Sequence, residues 1–174
     1  MRKTVLIPFM AFSVVAFVVA GMALADGKKG EKGEKVSIKL TAAPKVKTSA
    51  GGTATFELNK DGTVIHYTLK MSGIQNVTMG HVHEVGDDGT PAAVVSWLYP
   101  TTGNAPSLRE GAFKGTLAEG DITAEKLGGP MKGKSVKELF EKLEYGTAGV
   151  AIHTKQNPGG ELWSIHKGME KKKM

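Results

Sequence analysis

The chain of 174 residues contains no cysteine. Without a thiol it forms no disulfide, no thiolate nucleophile and no cysteine-ligated metal site, so the fold must rest on its hydrophobic core. The length is sufficient for one domain with such a core. The sequence also lacks the G-x-S-x-G motif of serine hydrolases and any evident pair of catalytic carboxylates. We therefore assign no catalytic residue and leave open whether the protein is an enzyme.

The middle of the chain carries no net positive charge, although the whole sequence has a net charge of +6. Of the 23 basic residues, ten lie before residue 36 or after residue 166, which leaves thirteen in between, beside thirteen acidic residues. A domain that binds nucleic acid carries its positive charge on the folded surface. We therefore expect no nucleic-acid partner, and we expect the terminal lysines to solvate the chain or contact an anionic cell surface.

The N-terminus has the composition of an export signal. An apolar run over residues 5–25 follows the basic pair Arg2-Lys3 and ends in the small-x-small pattern Ala23-Leu24-Ala25. This layout predicts a signal peptide over residues 1–25 and a secreted or extracytoplasmic protein, located in a periplasm or at a cell surface. The alternative is an uncleaved anchor, because the run is about long enough to span a bilayer. A membrane is a predicted partner only in that case.

The rest of the sequence predicts one domain between two polar ends. Residues 26–35 read DGKKGEKGEK and offer no apolar side chain for burial, which indicates a linker rich in lysine and glycine. The basic tail over residues 167–174 has a similar composition. The folded domain is therefore predicted to span residues 36–166.

Within this domain, short runs alternate between apolar and polar residues and are separated by turns rich in Gly, Asp and Pro. Residues 53–58 and 63–71 alternate in this way and flank Asn59-Lys60-Asp61-Gly62, which is typical of a β-hairpin. About eight such runs predict an all-β Greek-key sandwich or barrel. The predicted strands are residues 36–40, 53–58, 63–71, 77–85, 92–98, 112–117, 147–153 and 161–166.

One crossover helix is predicted after Ser135, because Ser135 and Glu138 form the pattern of a capping box. Apolar residues follow at helical spacing until Gly146 ends the helix. Residues 128–135 read GGPMKGKS and match the phosphate-binding loop pattern. No buried strand precedes them, so we interpret them as a glycine-rich turn into the helix. Residues 123–127 are predicted to form one further helical turn.

The histidines are the most informative residues of the sequence. His81 and His83 are two apart on a predicted strand, which puts both side chains on one face, with Cα atoms roughly 7 Å apart. His153 ends another predicted strand, and the three imidazoles converge if the two strands are neighbours. Imidazole is a common ligand of copper and zinc. The alternative is that these side chains only satisfy local hydrogen bonds, as is usual for single histidines such as His66 and His166.

The histidine segments resemble the copper-ligand strands of copper/zinc superoxide dismutases. Residues 80–87 (GHVHEVGD) are similar to the G-x-H-V-H-x-x-G-D strand of that family, shortened by one residue, and residues 150–153 (VAIH) are similar to its later V-V-H segment. The resemblance implies that His81, His83 and His153 are metal ligands, with copper favoured as the cofactor and zinc possible.

The dismutase pattern is nevertheless incomplete. No histidine lies between His83 and His153, where that family has a bridging histidine and a zinc cluster, so a superoxide dismutase variant is the least favoured function. A three-histidine site would take its remaining ligand from His66, from a methionine such as Met79, or from water.

A second resemblance covers residues 36–166 and is to the chordin-type (CHRD) domain. Residues 52–58 match its G-x-a-x-F-x-L hairpin, residues 81–83 its H-I-H strand and residues 152–162 its closing V-H-T…P-G-G-E segment, whereas Trp163 stands where the family usually has arginine. The resemblance implies a β-sandwich related to superoxide dismutase. Since chordin binds extracellular growth factors, it also implies an extracellular protein partner. The sequence thus favours an exported metal-binding protein, with a non-catalytic extracellular binding or adhesion module as the alternative.

Overall fold

The computed structural model describes residues 33–167. The predicted signal peptide, residues 26–32 of the predicted linker and residues 168–174 of the predicted tail lie outside the described residues. Within residues 33–167, no helix has both the length and the apolar character needed to cross a membrane.

The predicted all-β fold is confirmed. Residues 33–167 form seven strands that pair antiparallel in one nearly closed, barrel-like sheet. The strands are β1 (Lys35–Leu40), β2 (Gly51–Leu58), β3 (Ile65–Val85), β4 (Pro91–Tyr99), β5 (Arg109–Ile122), β6 (Ala148–Thr154) and β7 (Leu162–Ile165).

Strand β3 is one continuous element of 21 residues, so the prediction of two separate strands over residues 63–71 and 77–85 was wrong. The polar residues between these two predicted strands do interrupt the regular strand geometry of β3. Gly73 and Asn76 adopt left-handed backbone conformations, with φ of 70° and 50°. However, β5 follows β3 through this region by shifts in register. The chain therefore bulges there and continues in the same strand.

The two halves of β3 have different neighbours. The first half pairs with β2 and β5, whereas the half that carries His81 and His83 lies between β4 and β6. The order β1-β2-β3-β6-β7 nearly closes, because Ala42 bridges Leu162 and the Trp163 amide donates to the Thr41 carbonyl at 3.1 Å. The histidine pair therefore lies on an interior strand with partners on both sides.

The predicted helix is confirmed as α1 (Val136–Glu144). Its capping box is formed on both sides, since the Glu138 amide donates to Ser135 Oγ at 3.1 Å and the Ser135 amide donates to the Glu138 carboxylate at 2.9 Å. The apolar face of α1 is buried in the same core as the strands. Two 3₁₀ turns, Ala124–Lys126 and Gly129–Met131, precede it, so the segment that looks like a phosphate-binding loop is a turn into a capped helix.

Candidate metal centre

Three of the five histidines lie together, two on β3 and one on β6. In the register of these strands, His81 faces Ala151 and Met79 faces His153, so the three rings occupy neighbouring positions. One ring nitrogen from each of His81, His83 and His153 lies within 4.8 Å of the others, so the group could hold a metal ion. The convergence that strand adjacency would produce is thus present in the fold.

Backbone carbonyls fix the protonation pattern of two of these rings. His83 Nδ1 lies 2.9 Å from the Ala92 carbonyl oxygen, and His153 Nδ1 lies 2.9 Å from the Pro158 carbonyl oxygen. Because a carbonyl only accepts, each Nδ1 carries the proton and donates. In the neutral form of each ring, Nε2 then keeps its lone pair. Carbonyl partners of this kind orient histidine ligands in metal proteins.

The third ring completes the geometry. His81 Nδ1 lies 3.3 Å from His153 Nε2. Two nitrogens that bind one ion tetrahedrally, each at 2.0–2.1 Å, lie about 3.4 Å apart. The observed separation therefore suits two ligands of one ion as well as it suits a hydrogen bond.

The cluster also contains buried ring nitrogens without partners. His81, His83 and His153 are only 4%, 7% and 8% exposed. Nε2 of His81 and Nε2 of His83 have no hydrogen-bond partner within the described part of the chain. Buried polar atoms are nearly always paired, and an unpaired one calls for a specific explanation. A bound cation would provide it for the lone pair of His83 Nε2, whereas His81 would offer the ion its Nδ1 and carry its ring proton on Nε2.

The pKa values of His81 and His83 leave these two rings neutral. Burial, assisted by the neighbouring His153 and His83, lowers the pKa of His81 to about 3. Burial also lowers the pKa of His83; the hydrogen bond with Ala92 opposes this effect and His153 adds to it. Both imidazoles are therefore neutral at pH 7, which is the form that binds metal ions.

The family model of the CHRD domain matches residues 35–163, which is most of the chain and includes all three clustered histidines. The chain belongs to the CHRD domain family. The comparison with curated proteins finds no match, and the comparison with solved structures finds none either. The match confirms the CHRD resemblance. It extends from the first residue of β1 into β7, so the histidine cluster belongs to the CHRD domain itself.

The stability of the metal-free CHRD domain should fall in acid because of His81. Its folded pKa is about 3, whereas an unfolded histidine titrates near 6.5, so the unfolded chain takes up the proton first. The free energy of unfolding should therefore decrease as the pH falls below about 6.5, with a contribution approaching 1.4 kcal/mol per pH unit from this residue. Urea unfolding at about pH 7 and about pH 4.5 should show that the free energy of unfolding decreases less in His81→Gln than in the wild type. Equal decreases in both proteins would contradict the prediction.

Both tryptophans of the chain lie beside the cluster, although their positions in the sequence do not predict this proximity. The ring of Trp97 contacts His81 edge to face, with centroids 4.2 Å apart, and the ring of Trp163 lies 6.2 Å from that of His83. Trp163 Nε1 donates to the Gly89 carbonyl at 2.9 Å, which anchors this indole. Trp163, the departure from the usual CHRD pattern, is therefore part of the wall of the histidine site.

The other two histidines of the chain, His66 and His166, lie outside the cluster. His66 is exposed, and its Nδ1 lies 2.9 Å from the Asp121 carboxylate. His166 Nδ1 donates to the Glu144 carbonyl at 2.9 Å. His66 is thus not the remaining ligand, because it lies on the first half of β3 and pairs with β5. Met79 lies opposite His153 in the register, and its role as a ligand stays a prediction.

Proposed function

We propose that this CHRD-domain protein binds a metal ion, with copper preferred to zinc, through His81, His83 and His153. The observation that carries the proposal is the convergence of three buried imidazoles, in which His81 Nδ1 lies 3.3 Å from His153 Nε2 and His83 Nε2 has no hydrogen-bond partner among the described residues. A buried lone pair without a donor is an unfavourable feature of a purely structural cluster. It is the expected feature of a ligand set.

The donor set supports copper. Three neutral imidazoles suit both ions, and divalent copper binds such sites more tightly than zinc. Three protein ligands leave a coordination position open, where water or a small molecule can bind. Copper would supply one-electron redox chemistry there. Among residues 33–167 the cluster comprises three histidines, without a fourth that could bridge to a second metal, so we do not propose a superoxide dismutase activity.

The proposed place of action is outside the cytoplasm. The predicted signal peptide over residues 1–25, with its cleavage pattern Ala23-Leu24-Ala25, supports export. The proposed role is that of an extracytoplasmic copper carrier or buffer. Membership of the CHRD family favours a second candidate, a non-catalytic extracellular binding or adhesion module. That module would bind an extracellular protein on another surface and would need no metal.

Tryptophan fluorescence offers a direct test of copper binding, because both indoles adjoin the cluster. Titration of the purified, metal-free protein with Cu²⁺ should quench most of the emission with an end point near one equivalent. Zn²⁺ should bind in competition with Cu²⁺ without comparable quenching, because it is not redox-active. A chelator should restore the emission.

The matched control is the double variant His81→Gln/His83→Gln, which keeps both indoles. Its emission should respond to Cu²⁺ only at much higher concentrations and without an end point. If wild type and double variant respond alike, and metal analysis finds no bound ion in either, the metal function is rejected. The binding module then becomes the preferred function.

A further inference from the structure

The loop between β6 and β7 contains a buried carboxylate that the proposed ligand set does not use. Glu161 is 7% exposed, and three neutral side chains donate to it. Thr154 Oγ1 and Asn157 Nδ2 donate to its Oε2 at 2.7 and 3.2 Å, and Thr48 Oγ1 donates to its Oε1 at 2.7 Å. No lysine, arginine or histidine of residues 33–167 forms an ion pair with it. A buried charge held by three directed donors fixes the position of the groups that donate.

The two donors to Oε2 are Thr154, the last residue of β6, and Asn157, which lies in the loop that holds the His153 ring. Within this loop, the Asn157 amide donates to Thr154 Oγ1 at 3.1 Å, and the Gly160 amide donates to the Asn157 carbonyl at 3.0 Å. Pro158 lies between Asn157 and Gly160, and its carbonyl accepts the proton of His153 Nδ1. The Glu161 side chain thus binds Thr154 and Asn157, which precede Pro158, while Glu161 itself follows Gly160 on the other side of this carbonyl.

We propose that Glu161 is a positioning residue of the histidine site: it holds the loop so that the Pro158 carbonyl fixes the ring and the protonation pattern of His153. This inference rests on the proposed metal function for its effect on affinity, whereas its effect on the His153 ring needs no metal. Glu161 is not one of the residues that could bind the ion directly. It acts through Thr154, Asn157 and the loop backbone.

The first experiment reads the ring directly in the metal-free protein. Nitrogen-15 NMR of the imidazoles should show His153 with its proton on Nδ1 in the wild type. In Glu161→Ala, the donors Thr154 and Asn157 lose their acceptor, and His153 should become a mixture of its two neutral forms. An unchanged His153 spectrum in a folded Glu161→Ala protein would overturn the proposal, whatever the metal affinity.

The second experiment measures copper affinity by competition with a chromophoric chelator. Glu161→Ala should bind Cu²⁺ about 10- to 100-fold more weakly than wild type, the usual effect of losing an outer-shell partner. Glu161→Gln should recover most of the affinity, because its amide oxygen can accept from Thr154 and Asn157 while its amide nitrogen donates to Thr48. Equal affinities of wild type and Glu161→Ala would overturn the proposal.

Two further variants separate positioning from stability. Thr48→Val removes the contact at the other carboxylate oxygen, so it should lower stability while leaving affinity within about twofold, less than the effect of an outer-shell partner. Asn157→Ala removes one loop donor and should shift the His153 spectrum in the same direction as Glu161→Ala, but by a smaller amount. If Glu161→Ala does not fold, Asn157→Ala replaces it in the NMR comparison. If the wild type binds no copper, the metal function fails, and the NMR comparison alone decides the role of Glu161.

Discussion

Replacing His83 with glutamine should lower copper affinity by more than about 100-fold, beyond the usual effect of losing an outer-shell partner. The reason is that His83 Nε2 is buried and unpartnered among the described residues, while Nδ1 donates to Ala92. Glutamine keeps a donor for that carbonyl and similar bulk, but it has no imidazole nitrogen to offer the ion. Competition titration of Cu²⁺ against a chelator measures the loss.

His66→Gln is the matched control, because it makes the same change on the same strand at an exposed residue that pairs with Asp121. Its copper affinity should stay within about twofold of wild type, which is small beside the effect of any ligand or outer-shell change. Similar losses in the two variants would mean that copper binds histidines unselectively, and the cluster would lose its assignment.

Replacing the buried Phe56 with alanine should greatly lower the free energy of unfolding of the domain. Its side chain is fully buried on β2, opposite Val36 of β1 and Tyr67 of β3. Phenylalanine-to-alanine changes in a core cost about 3–5 kcal/mol, because the transferred apolar surface and the cavity left behind both count. Since domains are stable by only about 5–15 kcal/mol, Phe56→Ala should lower the urea midpoint strongly or prevent folding.

Phe113→Ala provides the comparison for this core variant. Phe113 is only partly buried, and its ring lies under the Arg109 guanidinium at 4.0 Å. Loss of that exposed contact should cost roughly 1 kcal/mol, well below the cost at Phe56. A larger loss at Phe113 than at Phe56 would show that the core described for β1, β2 and β3 does not dominate the stability of the domain.

Local patterns were sufficient to predict most of the fold. The alternation of residues 53–58 and the turn at Asn59 predicted the β2–β3 hairpin, and Asn59 Oδ1 does accept from the Thr63 and Val64 amides, at 2.8 and 3.0 Å. The Ser135 capping box likewise predicted α1. The continuity of β3 was not predictable, since the polar residues around Gly73 look like a turn. Pairing with β2 at Ser72 and with β5 at Ile74 and Gln75 keeps them in the strand.

The candidate site was predictable in part for a similar reason. Alternation alone placed His81 and His83 on one face, because strand periodicity is local. The nearness of His153 depends on the pairing of β3 with β6 and came from family resemblance instead. The carbonyls of Ala92 and Pro158 could not be predicted, because backbone groups carry no sequence signal. Trp97 reaches His81 through the register of β3 and β4, which is also non-local.

The continuity of β3 also determines how the domain opens. Its 21 residues are hydrogen-bonded to β2 and β5 in one half and to β4 and β6 in the other. The half with the histidines cannot separate from the sheet without disturbing the strand that organises the opposite half. Amide protons in both halves should therefore exchange with solvent through the same rare, global opening. An ion held by the three imidazoles would therefore also slow amide proton exchange in the half of β3 that pairs with β2, although the ion does not contact that half.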